Sequence, residues 1–549
     1  MRVAVIGAGP SGIVTLKELA EAGIDAVSYE ANSDIGGVFR YDPNGGGVWD
    51  TCRLTSSATT TAFSDFPPRD TSPHQMLHSE YFEYLNDYVD HFGLRDRIHT
   101  STQVRGVERQ PNGQWLVSFH NQDSDHEELF DRIAFCVGLH QRPNIPKEVE
   151  AFDGEVFHSI TYKGPEPFRD KHVLVIGAGE SGADVIAEIA EVAKRCALSL
   201  RRGVAVLTRQ RNGFPTDYFT TRLFYSLPKW LLRSVNPRGR VKKLRLLTIL
   251  LTLPVILLLL PTVLLVEVWT RFRLGDRATP IKIIRENARL IRQSGGGVGD
   301  QFLTKSESFV HAIVDGKCTR VGALKSIDQQ QVTFADGTSE TFDAIMCCTG
   351  FDPSLTLLPD LKLRDLWKGC FCPELGEKVS FIGLVRPAIG AIPPIAEMQA
   401  RLFALVCAGQ IQLPSSATMQ DEAAQDRAEK EAGFLLNIER MPYLVDYTSY
   451  MDDIARTIDC NPIAKELIKD PRLLYKFFCA HFMPVQYRLR GPGAKPETAK
   501  QQIRAQIVAY PSIYLVFNVI YLAFSQLMFR LGAKSFRPHL HVDFTQHKL

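Results

Sequence analysis

Residues 5–12 read VIGAGPSG and residues 175–182 read VIGAGESG. Each octet joins a short β-branched run to an apolar helical pattern: RVAVIG leads into SGIVTLKELAEAG, and KHVLVIG into ADVIAEIAEVA. A strand that turns into a helix through G-x-G-x-x-G is the phosphate-binding turn of a dinucleotide fold. The first glycine, Gly7 or Gly177, permits the tight turn. The second, Gly9 or Gly179, lets the backbone approach a pyrophosphate, and the third, Gly12 or Gly182, lets helix and strand pack closely. The helix N-terminus then offers unpaired N–H groups and the positive end of its dipole to the phosphates. Two such units in one chain predict two dinucleotide sites.

The residues that follow each turn distinguish the two sites. The next strand of the first unit, DAVSYE, ends in Glu30. A carboxylate there accepts hydrogen bonds from ribose hydroxyls and repels a 2′-phosphate, which suits FAD or NAD. In the second unit CALSLRRG puts Arg201 and Arg202 at the corresponding place. A guanidinium there clamps a 2′-phosphate in bidentate fashion. The expected pair is an FAD site followed by an NADPH site.

Composition narrows the remaining classes. At 549 residues, 45% hydrophobic and 23% charged, the chain is long enough for two or three globular domains. A net charge of +2 gives no basic field for nucleic acid, and no nucleic-acid partner is expected. The opening MRVAVIGAG lacks the small-residue cleavage site of a secretory signal, so a start in the cytosol is expected. Eleven cysteines without C-x-x-C spacing predict neither a disulfide framework, a zinc site nor a redox dithiol. His539 and His541 form an H-x-H without the further ligands a metal needs, so no metal is expected.

Between the two units, FDGEVFHSITY fits F-x-G-x-x-x-H-x-x-x-Y at Phe152, Gly154, His158 and Tyr162. With SDFPP at 64–68, FDRIAFCVG at 130–138, FDAIMCCTGF at 342–351, GLVRPAIGAIPPIAEMQAR at 383–401 and PVQYRLRGPG at 484–493, the chain resembles the flavin-containing monooxygenases over about 1–215 and 280–495. Tyr162 stands where the related Baeyer-Villiger enzymes usually carry Trp, which favours the branch that oxygenates heteroatoms. The resemblance implies that NADPH reduces FAD, that O2 adds to give a C4a-hydroperoxyflavin, and that a soft nitrogen or sulfur of a lipophilic small molecule takes the distal oxygen. The flavin carries the hard chemistry, so few catalytic side chains are expected. His158 reads as a packed linker histidine. Family members commonly place Asn ahead of two small hydroxyl residues; here LTSSA puts Thr55 at that catalytic position, followed by Ser56 and Ser57. Threonine offers one donor against the amide's two, so a leakier, peroxide-releasing enzyme is an open alternative, as are carbonyl oxygenation and a flavoprotein sensor. The expected cofactor contacts are Gly7, Gly9, Pro10, Ser11, Gly12, Glu30, Val38, Phe39, Thr55 and Ser56 for FAD, and Gly177, Gly179, Ser181, Gly182, Asp184 and Arg201 for NADPH.

The fold class expected is α/β, with two Rossmann-like doubly wound domains and the NADPH domain inserted in a split FAD domain. Its parts are 1–165 and 335–500 for FAD, 166–334 for NADPH with an apolar insertion at about 216–280, and a hydrophobic C-terminal segment at 501–549. Residues 246–266 contain no charge but are broken by Pro254 and Pro261, which predicts an interfacial or re-entrant segment, with a buried helical hairpin near the substrate entrance as the alternative. Residues 505–529 are also uncharged, and span or lie on the interface. Membrane lipid is therefore an expected partner, with the catalytic domains facing the cytosol, on the endoplasmic reticulum in a eukaryote.

Overall fold

The computed structural model describes residues 1–121, 124–226, 279–294, 303–433, 443–462 and 467–509, together with Ala523. Two five-stranded, all-parallel sheets organise the chain. The first has the order Val379–Phe381, Arg132–Phe135, Arg2–Ile6, Asp25–Tyr29, Ile98–His99. Its edge strand Val379–Phe381 is separated from the others by the whole second unit, so the first domain is split. The second sheet has the order Cys318–Val321, Arg195–Ser199, His172–Ile176, Ala344–Cys347, Glu155–His158. It takes in Glu155–His158 and Ala344–Cys347, which pair with each other in register. These two strands lie outside the 166–334 span expected for the second domain, because a strand's membership is decided by its hydrogen-bonded neighbour.

Alternation along the glycine-turn strands gives each sheet two different faces. Val3 and Val5 join a core with Ile13 and Val14 of the helix Pro10–Glu21 and Ile395 of the helix Ile392–Cys407. Ala4 and Ile6 point the other way, into a core with Trp115, Val117 and Phe119. Those three belong to an antiparallel sheet, Thr102–Arg109, Trp115–Asn121 and Ser124–Phe130. The second unit repeats the plan: Val173 and Val175 pack with Ala183, Ile186 and Phe309, while Leu174 and Ile176 pack with Val332 and Phe334. Val332 and Phe334 sit in the antiparallel sheet Leu324–Asp328, Gln331–Phe334, Ser339–Thr341. A doubly wound sheet carries helices on both faces. Here one face of each sheet is covered by a β-meander instead, whose period-two apolar pattern fills the layer a crossover helix would occupy.

The 246–266 run lies outside the described residues, as do 510–522 and 524–529 of the second apolar segment. Among the described residues no helix is long and apolar enough to cross a membrane.

Candidate functional site

The two glycine turns have the same geometry. Gly7 and Gly177 adopt φ +102° and +97°, the left-handed region that favours glycine. A Cβ on Gly7 would lie 2.8 Å from the Cys136 carbonyl oxygen, and one on Gly177 would lie 2.7 Å from that of Cys348. The Gly7 N–H donates to Tyr29 O at 2.8 Å and the Gly177 N–H to Ser199 O at 3.1 Å. Gly12 and Gly182 are the close-packing positions, since a Cβ on either would strike the carbonyl of its own turn's first glycine. A Cβ on Gly179 would meet nothing within 4 Å, so backbone is open there to an incoming phosphate. Gly9 faces Gly37, whose Cα lies 3.5 Å from where its Cβ would be.

The helices Pro10–Glu21 and Glu180–Val192 start at Gly9 and Gly179 without any side-chain cap. Pro10, at the first helical position, has no N–H to satisfy. Among the described residues no side chain caps the first-turn amides of either helix, and the two cradles fit dinucleotide phosphates. Ser11 packs against Gly383, and Val38 and Phe39 sit in a one-turn helix entered by Gly36, with Phe39 set edge-on to Tyr81 at 4.7 Å. Ser181 is half-buried at the start of the second helix.

The charges after the cradles differ as the sequence indicates. Glu30 is 5% exposed; Oε2 accepts from the Ala8 N–H at 2.7 Å, and Oε1 accepts from the Asn32 backbone and side-chain N–H groups at 2.9 and 2.7 Å. Three of about four carboxylate acceptor sites are therefore taken, which leaves about one for a ribose hydroxyl. Arg201 and Arg202 are exposed just beyond the strand Arg195–Ser199, and neither is paired among the described residues. Asp184 is committed within the protein: it accepts from Arg209 and from the Ser306 hydroxyl, each at 2.7 Å. It braces Arg209 beside the second cradle.

A cleft lies where the two units meet. Thr55, Ser56 and Gly390 contribute from the first, and Arg209, Asp217 and Lys305 from the second and the segment after it. Thr55 is half-buried at this cleft, while the Ser56 hydroxyl is buried and bonded to that of Thr61 at 2.8 Å. Lys305 lies 3.5 Å from Glu180 and donates its backbone N–H to the same carboxylate at 2.9 Å. Asp217 arrives through a local device. Asn212 and Gly213, at φ +52° and +79°, close a two-residue hairpin between Gln210–Arg211 and Phe214–Pro215, and the turn Thr216–Phe219 follows. Its Oδ2 then accepts from both the backbone N–H and the hydroxyl of Ser57 at 2.8 Å, 160 residues away in the chain. Burial raises the Asp217 pKa above the usual carboxylate range, opposed by those donors, by the Thr60 side chain and by Lys305.

The fingerprint residues hold the linker between the units. His158 is buried, with Nε2 donating to Gly350 O at 3.0 Å and Nδ1 accepting from the Ile160 N–H at 3.2 Å. Burial lowers its pKa, so it packs as a neutral ring. The Tyr162 hydroxyl donates to Glu188 at 2.7 Å, and the Trp49 indole donates to the same carboxylate at 3.1 Å. Tyr162 thereby ties the linker to a helix of the second unit and a loop of the first.

The scattered motifs converge on one buried ionic cluster. Arg488 of RLRGPG, 1% exposed, donates to Glu18 at 2.8 Å, Glu397 at 2.7 Å and the Ser64 hydroxyl at 2.6 Å, and lies 3.3 Å from Asp65. Lys17 pairs with Glu18 and Asp65, while Arg401 donates to the carbonyls of Tyr487 and Pro492. SDFPP, the helix bearing EMQAR, and RLRGPG are thus fastened to the helix of the first cradle. Sequence reading quoted these motifs without giving them a role, and missed Asp217, Arg209 and Lys305 altogether. The N-G hairpin ahead of Asp217 was the one local signal available for it.

The sequence profile of the family described as flavin-binding monooxygenase-like matches residues 1–246 and 297–511. A 4-hydroxybenzoate brominase (decarboxylating) of Pseudoalteromonas luteoviolacea is 32% identical over 97% of this chain and 98% of its own length. Flavin-containing monooxygenase 5 of Cavia porcellus is 30% identical over 90% of this chain and 89% of its own. Among solved structures, S-allyl-L-cysteine S-oxygenase from Allium sativum superposes with a TM-score of 0.58 at 19% identity, over 92% of this chain and 97% of that one; this likeness is one of fold.

Proposed function

The chain belongs to the flavin-binding monooxygenase-like family, and from that premise we propose that it transfers one oxygen atom of O2 to a soft nucleophilic nitrogen or sulfur of a lipophilic small molecule. It is an FAD- and NADPH-dependent monooxygenase. When bound, NADPH supplies the hydride and FAD the oxygen-activating chemistry. The observation that carries the assignment of each cofactor to its cradle is the reversal of charge after two equivalent turns, a buried Glu30 after the first and an exposed Arg201 after the second.

The chain's own residues bind and orient. The first-turn amides after Gly9 and Gly179 take the pyrophosphates. Glu30 holds a ribose hydroxyl, and Arg201 meets the 2′-phosphate. Thr55 presents its single hydroxyl at the cleft between the units, with Ser56 behind it. Tyr162 and Glu188 keep the two units in register across the linker. Tyr162, in place of tryptophan, supports the heteroatom branch over carbonyl oxygenation, and the uncharged 246–266 run supports a lipophilic substrate.

Rapid mixing of the reduced, NADP-bound protein with O2 tests the reading. An absorbance transient distinct from both reduced and oxidised flavin, lasting seconds and discharged by a thioether or tertiary amine, supports it. Immediate return of the oxidised spectrum with stoichiometric peroxide refutes it. The brominase relative favours a second reading in which bromide is the nucleophile. Turnover with NADPH, bromide and 4-hydroxybenzoate separates the two: a brominated product identifies the second, and an oxygenated amine or thioether the first.

A further inference from the structure

Asp217 and Arg209 share two features. Both line the cleft between the two units, and each carries a buried polar atom without a hydrogen-bond partner among the described residues: Oδ1 of Asp217, an acceptor, and Nε of Arg209, a donor. The rest of each side chain is firmly placed. Asp217 is 6% exposed and anchored through Oδ2 to Ser57, while Arg209 is paired with Asp184. An orphaned buried acceptor costs free energy unless a ligand satisfies it, and two complementary orphans at one cleft favour a ligand group that both donates and accepts. A primary carboxamide is such a group. The cleft is bounded by Thr55 and Ser56 of the first unit on one side and the second unit on the other, where the redox ends of the two cofactors must meet for a hydride to pass.

We propose that Asp217 is a specificity-determining residue that reads the nicotinamide carboxamide, its Oδ1 accepting from the carboxamide N–H while Arg209 Nε donates to the carboxamide oxygen. This rests on the FAD and NADPH reading above. It gives Asp217 two tasks at once. Through Oδ2 it fixes the turn that carries Thr55, and through Oδ1 it aligns the nicotinamide against that turn.

The test is equilibrium binding to the oxidised, FAD-loaded protein, followed by the change in flavin absorbance and so independent of turnover. Two ligands are compared: NADP+ and its 3-acetylpyridine analogue, which keeps the carbonyl and lacks the N–H donor. The unmodified protein is expected to bind NADP+ at least about tenfold more tightly, the order of one hydrogen bond to a charged group. In Asp217→Asn the amide oxygen takes the two Ser57 donors, and the NH2 then faces the ligand. Donor meets donor for NADP+ but not for the analogue, so the preference is expected to vanish or invert.

Equal affinity of the unmodified protein for the two ligands overturns the proposal without recourse to any variant, as does an unchanged preference in a FAD-loaded Asp217→Asn. If neither ligand binds, the NADPH reading falls together with the proposal; if both bind equally, the proposal alone falls.

Discussion

Replacing Arg488 with methionine removes the cation on which three carboxylates converge. The cluster is balanced as built: Lys17, Arg401 and Arg488 face Glu18, Asp65 and Glu397, all at most 8% exposed at the side chain, and Lys495 and Glu21 pair with it from the more exposed rim. Methionine fills much of the volume but leaves Glu18 and Glu397 without their guanidinium. Breaking a buried ion pair by removing one partner costs about 3–5 kcal/mol, because the abandoned charge stays desolvated. The cost should appear first where the cluster is fastened, on the helix of the first cradle, as loss of FAD below the temperature of global unfolding. Flavin fluorescence during a thermal ramp reads this directly, since released FAD brightens.

The sign of the pH dependence is a stricter check. In the native protein Arg488 and Lys17 overcome the burial penalty and hold the Glu18 and Asp65 pKa values below the usual carboxylate range. Their contribution is present above the unfolded pKa of about 4 and is lost as pH falls through the lower folded value. Without Arg488 the largest counterweight to burial is gone, and the folded pKa values of Glu18 and Asp65 rise. The variant then gains relative stability as pH falls from neutrality towards the carboxylate range. The deficit in FAD-release temperature should therefore be largest near pH 7 and shrink towards pH 5. A variant that releases FAD at the parental temperature, or whose deficit widens on acidification, would refute this account of the cluster.

Three further outcomes are expected. Arg201→Ala should weaken NADPH binding by about 10–100-fold, the worth of charge-assisted bonds to a phosphate, while leaving NADH unchanged in the same titration; equal loss for both would remove the 2′-phosphate from this arginine. Thr55→Asn restores a second donor at the cleft and should lower peroxide formed per NADPH oxidised by about two- to tenfold, the range for one ordinary hydrogen bond, as read by a peroxide assay beside NADPH consumption. Deleting 505–549 should release the protein from the membrane fraction of a lysate, and retention in the pellet would move anchoring to 246–266.

The cradles were legible in the sequence because their chemistry is local. Within eight residues a glycine supplies a positive φ, another leaves backbone open and a third lets a helix close on a strand, so spacing alone carries the geometry. The opposite charges were legible too, Glu30 directly after the strand Asp25–Tyr29 and Arg201 two residues past Arg195–Ser199. The β-meander layers were less so, since an apolar alternation such as Trp115, Val117 and Phe119 says that a strand has a buried face without saying which sheet it covers. Asp184 shows another limit: its position in the helix set its place beside the second cradle, but not its bonds to Arg209 and Ser306, which come from distant segments.

What the chain order determined by itself is the presence of two phosphate cradles and the opposite charges that follow them. Tertiary structure alone decided what surrounds them: which strands extend the second sheet, how Arg488 gathers Glu18 from 470 residues away, and how Asp217 reaches Ser57 across 160. Contacts at such separations leave no period or spacing in the sequence. They exist because burial forces each desolvated charge or polar atom to find a partner among whatever the fold has brought alongside it.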